Sequence, residues 1–115
     1  MSRLEAIDGG TWEEFVGSPA AVLVVGKSDC AACARWSAEL DAHLGDASRW
    51  PKVRFGKVLL DTPGLAGFKR ANPWVADLDV LPSTQIYVRG ERVTSFAGGG
   101  VSRLESRLRR IAATG

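Results

Sequence analysis

The chain has two cysteines, and they stand together as Cys30-Ala31-Ala32-Cys33. The apolar run Ala20 to Val25 precedes them and a helical pattern follows, so the pair falls where a strand's loop becomes a helix. The unpaired amides and the dipole of a helix N-terminus stabilise a thiolate, so Cys30 can ionise near neutral pH instead of near ~8.5. One turn on, Cys33 lies on the same face. From there it can attack a mixed disulfide at Cys30, release a reduced partner and close an intramolecular bridge. Other chemistries compete for the pair. A structural zinc site wants four ligands, and the only other soft donor is His43 on the same helix, which speaks against a metal. Haem attachment needs a histidine directly after the second cysteine, where the chain has Ala34. Two packed, inert thiols are the remaining alternative, and the strand-loop-helix setting favours redox chemistry over it.

The elements that must hold the pair follow from periodicity. Thr11-Trp12-Glu13-Glu14 predicts a capping box, with the Thr11 hydroxyl on the Glu14 amide and the Glu14 carboxylate reaching back to Thr11. The short helix it opens should end near Gly17-Ser18-Pro19. Ala20 to Val25 is apolar without alternation, as in a strand covered on both faces, and belongs at the sheet centre. From Cys30 to about Leu44, the residues Cys33, Trp36, Leu40 and Leu44 recur at three and four, which predicts a long helix with Gly45 as its stop. Val53 to Leu60 reads as a second inner strand, Leu65 to Ala71 as a short helix, and Trp74 to Leu78 as a further short piece. Thr84 to Val88 and Arg92 to Phe96 form a hairpin about Arg89-Gly90-Glu91. Val101, Leu104, Leu108 and Ile111 mark an amphipathic last helix whose arginines face solvent. This order predicts an α/β sandwich with a central mixed sheet of about four to five strands flanked by helices.

With 115 residues, 45% of them hydrophobic and 24% charged, residues 1–115 make a single domain. At this length roughly two-thirds of the unfolded surface can be buried, so the core needs neither disulfide staples nor a structural metal. No window approaches ~20 consecutive apolar residues, and no membrane span is expected. The net charge is +2, and Arg103, Arg107, Arg109 and Arg110 against Glu105 supply the excess, leaving the rest nearly neutral. No basic patch with interleaved aromatics appears, so a nucleic-acid partner is not expected. Met1 to Asp8 carries two acids and no apolar stretch of signal-peptide length, so a reducing cytoplasm is the expected compartment.

Three features together resemble the thioredoxin family over nearly the whole chain. Cys30-Ala31-Ala32-Cys33 follows the apolar strand; Leu81-Pro82-Ser83-Thr84 stands where the family carries its cis-proline; and Gly98-Gly99 stands near the glycine turn before the last helix. The resemblance implies a thioredoxin-like three-layer sandwich with Pro82 cis and packed beside the cysteines. It also implies that the Leu81 backbone is offered to a bound substrate strand, with Asp29, Ala31, Ala32 and Gly98 around the docking site. A proline has no amide, which leaves the neighbouring edge free to pair with an extended peptide.

The departures from the family's pattern bear on mechanism. Its Trp-Cys-Gly-Pro-Cys is here Asp29-Cys30-Ala31-Ala32-Cys33. Asp29 opposes the Cys30 thiolate and Lys27 favours it, while Asp29 serves equally well as the helix N-cap. The buried aspartate found in many members, six positions before the first cysteine, is Val24, although its lysine partner is matched by Lys57. A proton acceptor for Cys33 is then missing, so its attack should be slower or more pH-dependent unless Lys57 or water substitutes. Between Asp61 and Pro82 the chain is several residues longer than in small members. That part holds Asn72 to Asp79, in which Trp74 either docks a partner or caps the core.

The implied activity is thiol–disulfide exchange that reduces disulfides in partner proteins, with Cys30 as nucleophile and Cys33 resolving. No metal or organic cofactor is expected, only the redox-active Cys30–Cys33 pair. Electrons would come from a separate reductase, since no Gly-x-Gly-x-x-Gly element is present, and the chain would act as a monomer. The alternative is a thioredoxin-fold interaction or chaperone-like module with little redox activity.

Overall fold

The most apolar stretch of the sequence becomes the middle strand. The computed structural model describes residues 2–114. Its five strands are β1 (Leu4–Ala6), β2 (Ala20–Gly26), β3 (Arg54–Leu59), β4 (Ser83–Val88) and β5 (Glu91–Ala97), in the order β1-β3-β2-β4-β5. β1, β3 and β2 run parallel, while β4 is antiparallel to β2 and β5 to β4. Helices α1 (Trp12–Val16), α2 (Ala31–His43), α3 (Ala66–Ala71) and α4 (Val101–Thr114), with a 3-10 turn at Pro73–Asp77, complete the fold.

Alternation along β2 explains the layers. Val22 and Val24 face Trp36 and Leu40 of α2 and Leu104 and Leu108 of α4. Ala21, Leu23 and Val25 face Phe15 and Val16 of α1 and Phe68 of α3. Both faces of the strand are covered, and so it has no polar face. The expected α/β architecture with a mixed sheet flanked by helices is the observed one.

Three local expectations are corrected and a fourth is made specific. The edge strand β1 is added to the expected order; three residues, Leu-Glu-Ala, are too short to show a period, and pairing with Phe55 to Lys57 makes them a strand. The capping box does not form. The Thr11 hydroxyl accepts from the Asp8 amide (3.0 Å) and donates to the Asp8 carboxylate (3.1 Å), and Glu14 is drawn to Arg54 instead. Asp8 thus builds an Asx turn ahead of α1, its Oδ1 also accepting the Gly10 amide at 2.9 Å. The piece at Trp74 to Leu78 resolves into the 3-10 turn, with proline at its first position. Lastly, Arg103, Arg109 and Arg110 are exposed as expected, but Arg107 is half-buried. Arg103 and Arg107 lie over the Phe96 ring, 4.6 and 5.1 Å from its centroid, and Arg107 donates to Thr94 Oγ1 and the Ser95 carbonyl.

The hairpin turns in two residues, Arg89 (φ 52) and Gly90 (φ 83), the left-handed pair that matches the twist of the strands it joins.

A candidate active site at the cysteine pair

β2 ends at Gly26, and the exposed segment Lys27 to Asp29 carries the chain to α2. Cys30 itself is the N-cap: its backbone is extended, and its Sγ accepts the Cys33 amide at 3.2 Å. Asp29 is therefore not the cap, because the sulfur already occupies the place a capping oxygen would take. An Sγ that accepts a helix N-terminal amide is stabilised when it carries negative charge. Cys30 and Cys33 are joined as a disulfide with a Cα–Cα distance of 5.2 Å. Cys30 is partly exposed and Cys33 only 4% exposed, so an incoming sulfur meets Cys30 first. Ala31 is exposed and Ala32 half-buried beside them.

Gly26 makes room for this turn of helix. A Cβ at that position would come within 2.9 Å of Cys33 Sγ. Ser28 pins the loop before Cys30, donating its amide to Asp61 at 3.1 Å and its hydroxyl to the same carboxylate. Those two bonds, hydroxyl first, together with the charge of Lys27, hold the Asp61 carboxyl below its ordinary range. Lys27 and Asp61 also line one surface pocket, so part of the Lys27 charge falls on Asp61.

On the other side of the disulfide, the Leu81–Pro82 peptide is cis and Pro82 is buried. The Leu81 carbonyl oxygen lies 3.9 Å from Cys30 Sγ. The Pro82 carbonyl accepts the Gly98 amide at 2.7 Å, and Gly98 is in the left-handed region at φ 79. Leu81, Pro82 and Gly98 are thus brought together, with the Leu81 carbonyl beside Cys30.

Lys57 and Trp74 are placed differently. Lys57 pairs with Val24 in the sheet, and its side chain lines a shallow pocket with Ala34, Ser37 and Asp41 of α2. Val24 is 2% exposed, so no carboxylate stands at that position of the core. Trp74 is half-buried, packs edge-on against Phe68 (6.4 Å) and lies beneath the Arg92 guanidinium (4.6 Å), so it caps the core. His43 sits at the far end of α2, 3.5 Å from Glu105. Among the described residues no group of three or more His, Cys, Asp or Glu side chains is placed to hold a metal. No helix among them is long and apolar enough to cross a membrane.

Four residues near the site were not singled out from sequence for what they do here: Gly26, Asp61, Trp36 and Thr84. Trp36 was legible as a packing residue on its helical spacing, and it is 3% exposed. Its indole N–H, however, also donates to the Thr84 hydroxyl at 3.2 Å. The one hint lay in Ser83-Thr84-Gln85, three polar residues entering an inner strand.

No protein-family model matches the chain, and no curated protein sequence matches it. Solved structures do. The thioredoxin of Malassezia sympodialis is 15% identical, with 96% of this chain and 91% of that one covered and a TM-score of 0.75. Oxidised thioredoxin O2 of Arabidopsis thaliana is 20% identical over 95% and 94% of the two chains, with a TM-score of 0.73. This is the thioredoxin fold. Thioredoxin f2 of Chlamydomonas reinhardtii, 19% identical over 93% and 94%, gives a TM-score of 0.72. In this thioredoxin fold the cysteine pair stands at the N-terminus of the helix that follows the central strand.

Proposed function

We propose that the protein is a thiol–disulfide oxidoreductase that reduces disulfides in other proteins. The observation that carries this reading is the Cys30–Cys33 disulfide at the start of α2, with the Cys33 amide on Cys30 Sγ and the Leu81 carbonyl alongside. In the dithiol form, the Cys30 thiolate attacks one sulfur of a substrate disulfide; the other sulfur leaves as a thiolate and takes a proton from water. Deprotonated Cys33 then attacks Cys30 Sγ, expelling the second substrate sulfur. The substrate gains two electrons and two protons, and the protein ends as its disulfide. The Leu81 backbone, beside Cys30, holds the substrate strand.

Val24 removes the carboxylate that could take the Cys33 proton, so the acceptor is water. Resolution should accelerate as pH rises through the Cys33 thiol range. The cycle needs no metal or organic cofactor, only a separate reductase to return the disulfide to the dithiol, and the chain works as a monomer in a reducing compartment such as the cytoplasm. A second reading, an interaction module built on the same fold, takes its support from Val24 and from the two alanines between the cysteines.

Trapping separates the two. Cys33→Ser should accumulate a mixed disulfide between Cys30 and a protein substrate such as insulin, visible by intact mass, and Cys30→Ser should lose reduction altogether. Retention of activity in Cys30→Ser would sink the oxidoreductase reading and leave the interaction module.

A further inference from the structure

Thr84 is 0% exposed and stands two residues after Pro82. Its hydroxyl accepts the Trp36 indole N–H (3.2 Å) and donates to the Gly98 carbonyl (3.0 Å). Trp36 lies on α2 one turn beyond Cys33, while Gly98 donates its own amide to the Pro82 carbonyl (2.7 Å). One hydroxyl therefore joins the cysteine helix, the proline strand and the glycine turn before α4 in a continuous chain of hydrogen bonds. The turn presses on the indole from its other side, since a Cβ at Gly99 would come within 2.4 Å of the Trp36 ring.

The setting makes this hydroxyl costly to lose. Thr84 faces Val24 across β2 and β4, inside a cluster that is otherwise Val22, Leu40, Phe55, Ile86 and their apolar neighbours. Valine in its place would fill the same space and leave the indole donor buried without an acceptor.

We propose that Thr84 is a positioning residue for substrate docking: through Trp36 and Gly98, its hydroxyl fixes the stand-off between the Leu81–Pro82 segment and Cys30. The proposal rests on the oxidoreductase reading and adds a residue that the sulfur chemistry itself does not require. A polypeptide disulfide uses the Leu81 backbone as well as the sulfurs, whereas a small dithiol meets only the sulfurs. Loosening the segment should therefore weaken one reaction and spare the other.

The test compares the full-length wild type with Thr84→Val, Thr84→Ser and Trp36→Phe. Each is assayed for insulin reduction, resolved into kcat and KM, and for reduction of its own disulfide by dithiothreitol. Thr84→Val should raise KM for insulin about tenfold, the effect of losing buried hydrogen bonds that set the docking segment. The dithiothreitol rate should stay within about twofold of wild type. Thr84→Ser should restore the insulin KM. Trp36→Phe keeps the Thr84–Gly98 bond, so it should give a smaller rise, and it carries the test on its own if Thr84→Val does not fold. Equal losses with insulin and dithiothreitol would mean general damage to the site and would overturn the proposal, as would no loss with either. If wild type exchanges with neither reagent, the oxidoreductase reading falls and the proposal with it; if wild type is active and Thr84→Val matches it, only the proposal falls.

Discussion

Two polar chains leave the same strand in opposite directions, and their ends differ. On one face of β4, Gln85 donates to the Ser83 hydroxyl (2.7 Å) and accepts from Arg92 (2.9 Å), whose guanidinium covers Trp74. On the other face, Thr84 joins Trp36 to Gly98. The first chain runs out to an exposed arginine and ties the segment around Trp74 to the hairpin. The second starts from a fully buried hydroxyl and runs between the cysteine helix and the glycine turn. Residues adjacent in sequence thus serve different ends because a strand's side chains alternate between faces. One face of β4 holds the fold together, and the other aligns the site.

The separation of the two faces can be broken by mutation. Phe68→Ala removes the ring on which Trp12 and Trp74 pack edge-on, at 5.4 and 6.4 Å. It should cost about 3–5 kcal/mol in denaturant unfolding and leave the Cys30–Cys33 potential unchanged. A shifted potential would show that the α1/α3 face also sets the site. Gly99→Ala drives a methyl into the Trp36 ring and should cost about 1–3 kcal/mol, this time together with slower insulin reduction. Stability loss without a change in rate would place the glycine turn outside the site's support.

Arg92→Ala strips the cover from Trp74 and leaves the Gln85 oxygen, on a residue 1% exposed, without its donor. A loss of about 1–3 kcal/mol is expected, with the insulin KM unmoved; a raised KM would link the first chain to docking after all. The smallest effect belongs to Tyr87, which is 4% exposed and whose hydroxyl is buried with no hydrogen-bond partner among the described residues. Burial pushes its phenol up to about 12 against the opposing charge of Arg92. The folded state then keeps a proton that the unfolded chain releases from about pH 10 upward. Stability should fall as pH rises from about 10 to about 12, and Tyr87→Phe should remove that fall while being neutral or up to about 1 kcal/mol more stable at pH 7. Chemical denaturation at pH 7 and pH 11 reads both effects.

Long, periodic segments were legible in the sequence, and so were the motifs. The uninterrupted, β-branched run at Ala20 read as a strand covered on both faces, and Cys33, Trp36, Leu40 and Leu44 fell on the buried side of α2 as their spacing predicted. The position of the cysteines between those elements followed directly. What the sequence could not show was which of several partners a polar side chain would choose. Thr11 and Glu14 fit a capping box, yet Asp8 and Arg54 offered them tertiary partners that compete with it. Asp29 was a fair capping residue one position too early, because Cys30 Sγ fills the role. β1 has too few residues to carry a period, and Thr84 gains its meaning from an indole on another element 48 positions away.

The central claim is that Cys30 and Cys33 cycle between dithiol and disulfide as a working pair. Equilibrating the protein in dithiol buffers of graded potential, then alkylating and weighing it, tests that most directly. The account predicts one two-electron transition, below about −240 mV for a reductant. If no intramolecular disulfide forms at any poise, the account is contradicted, and the pair is structural.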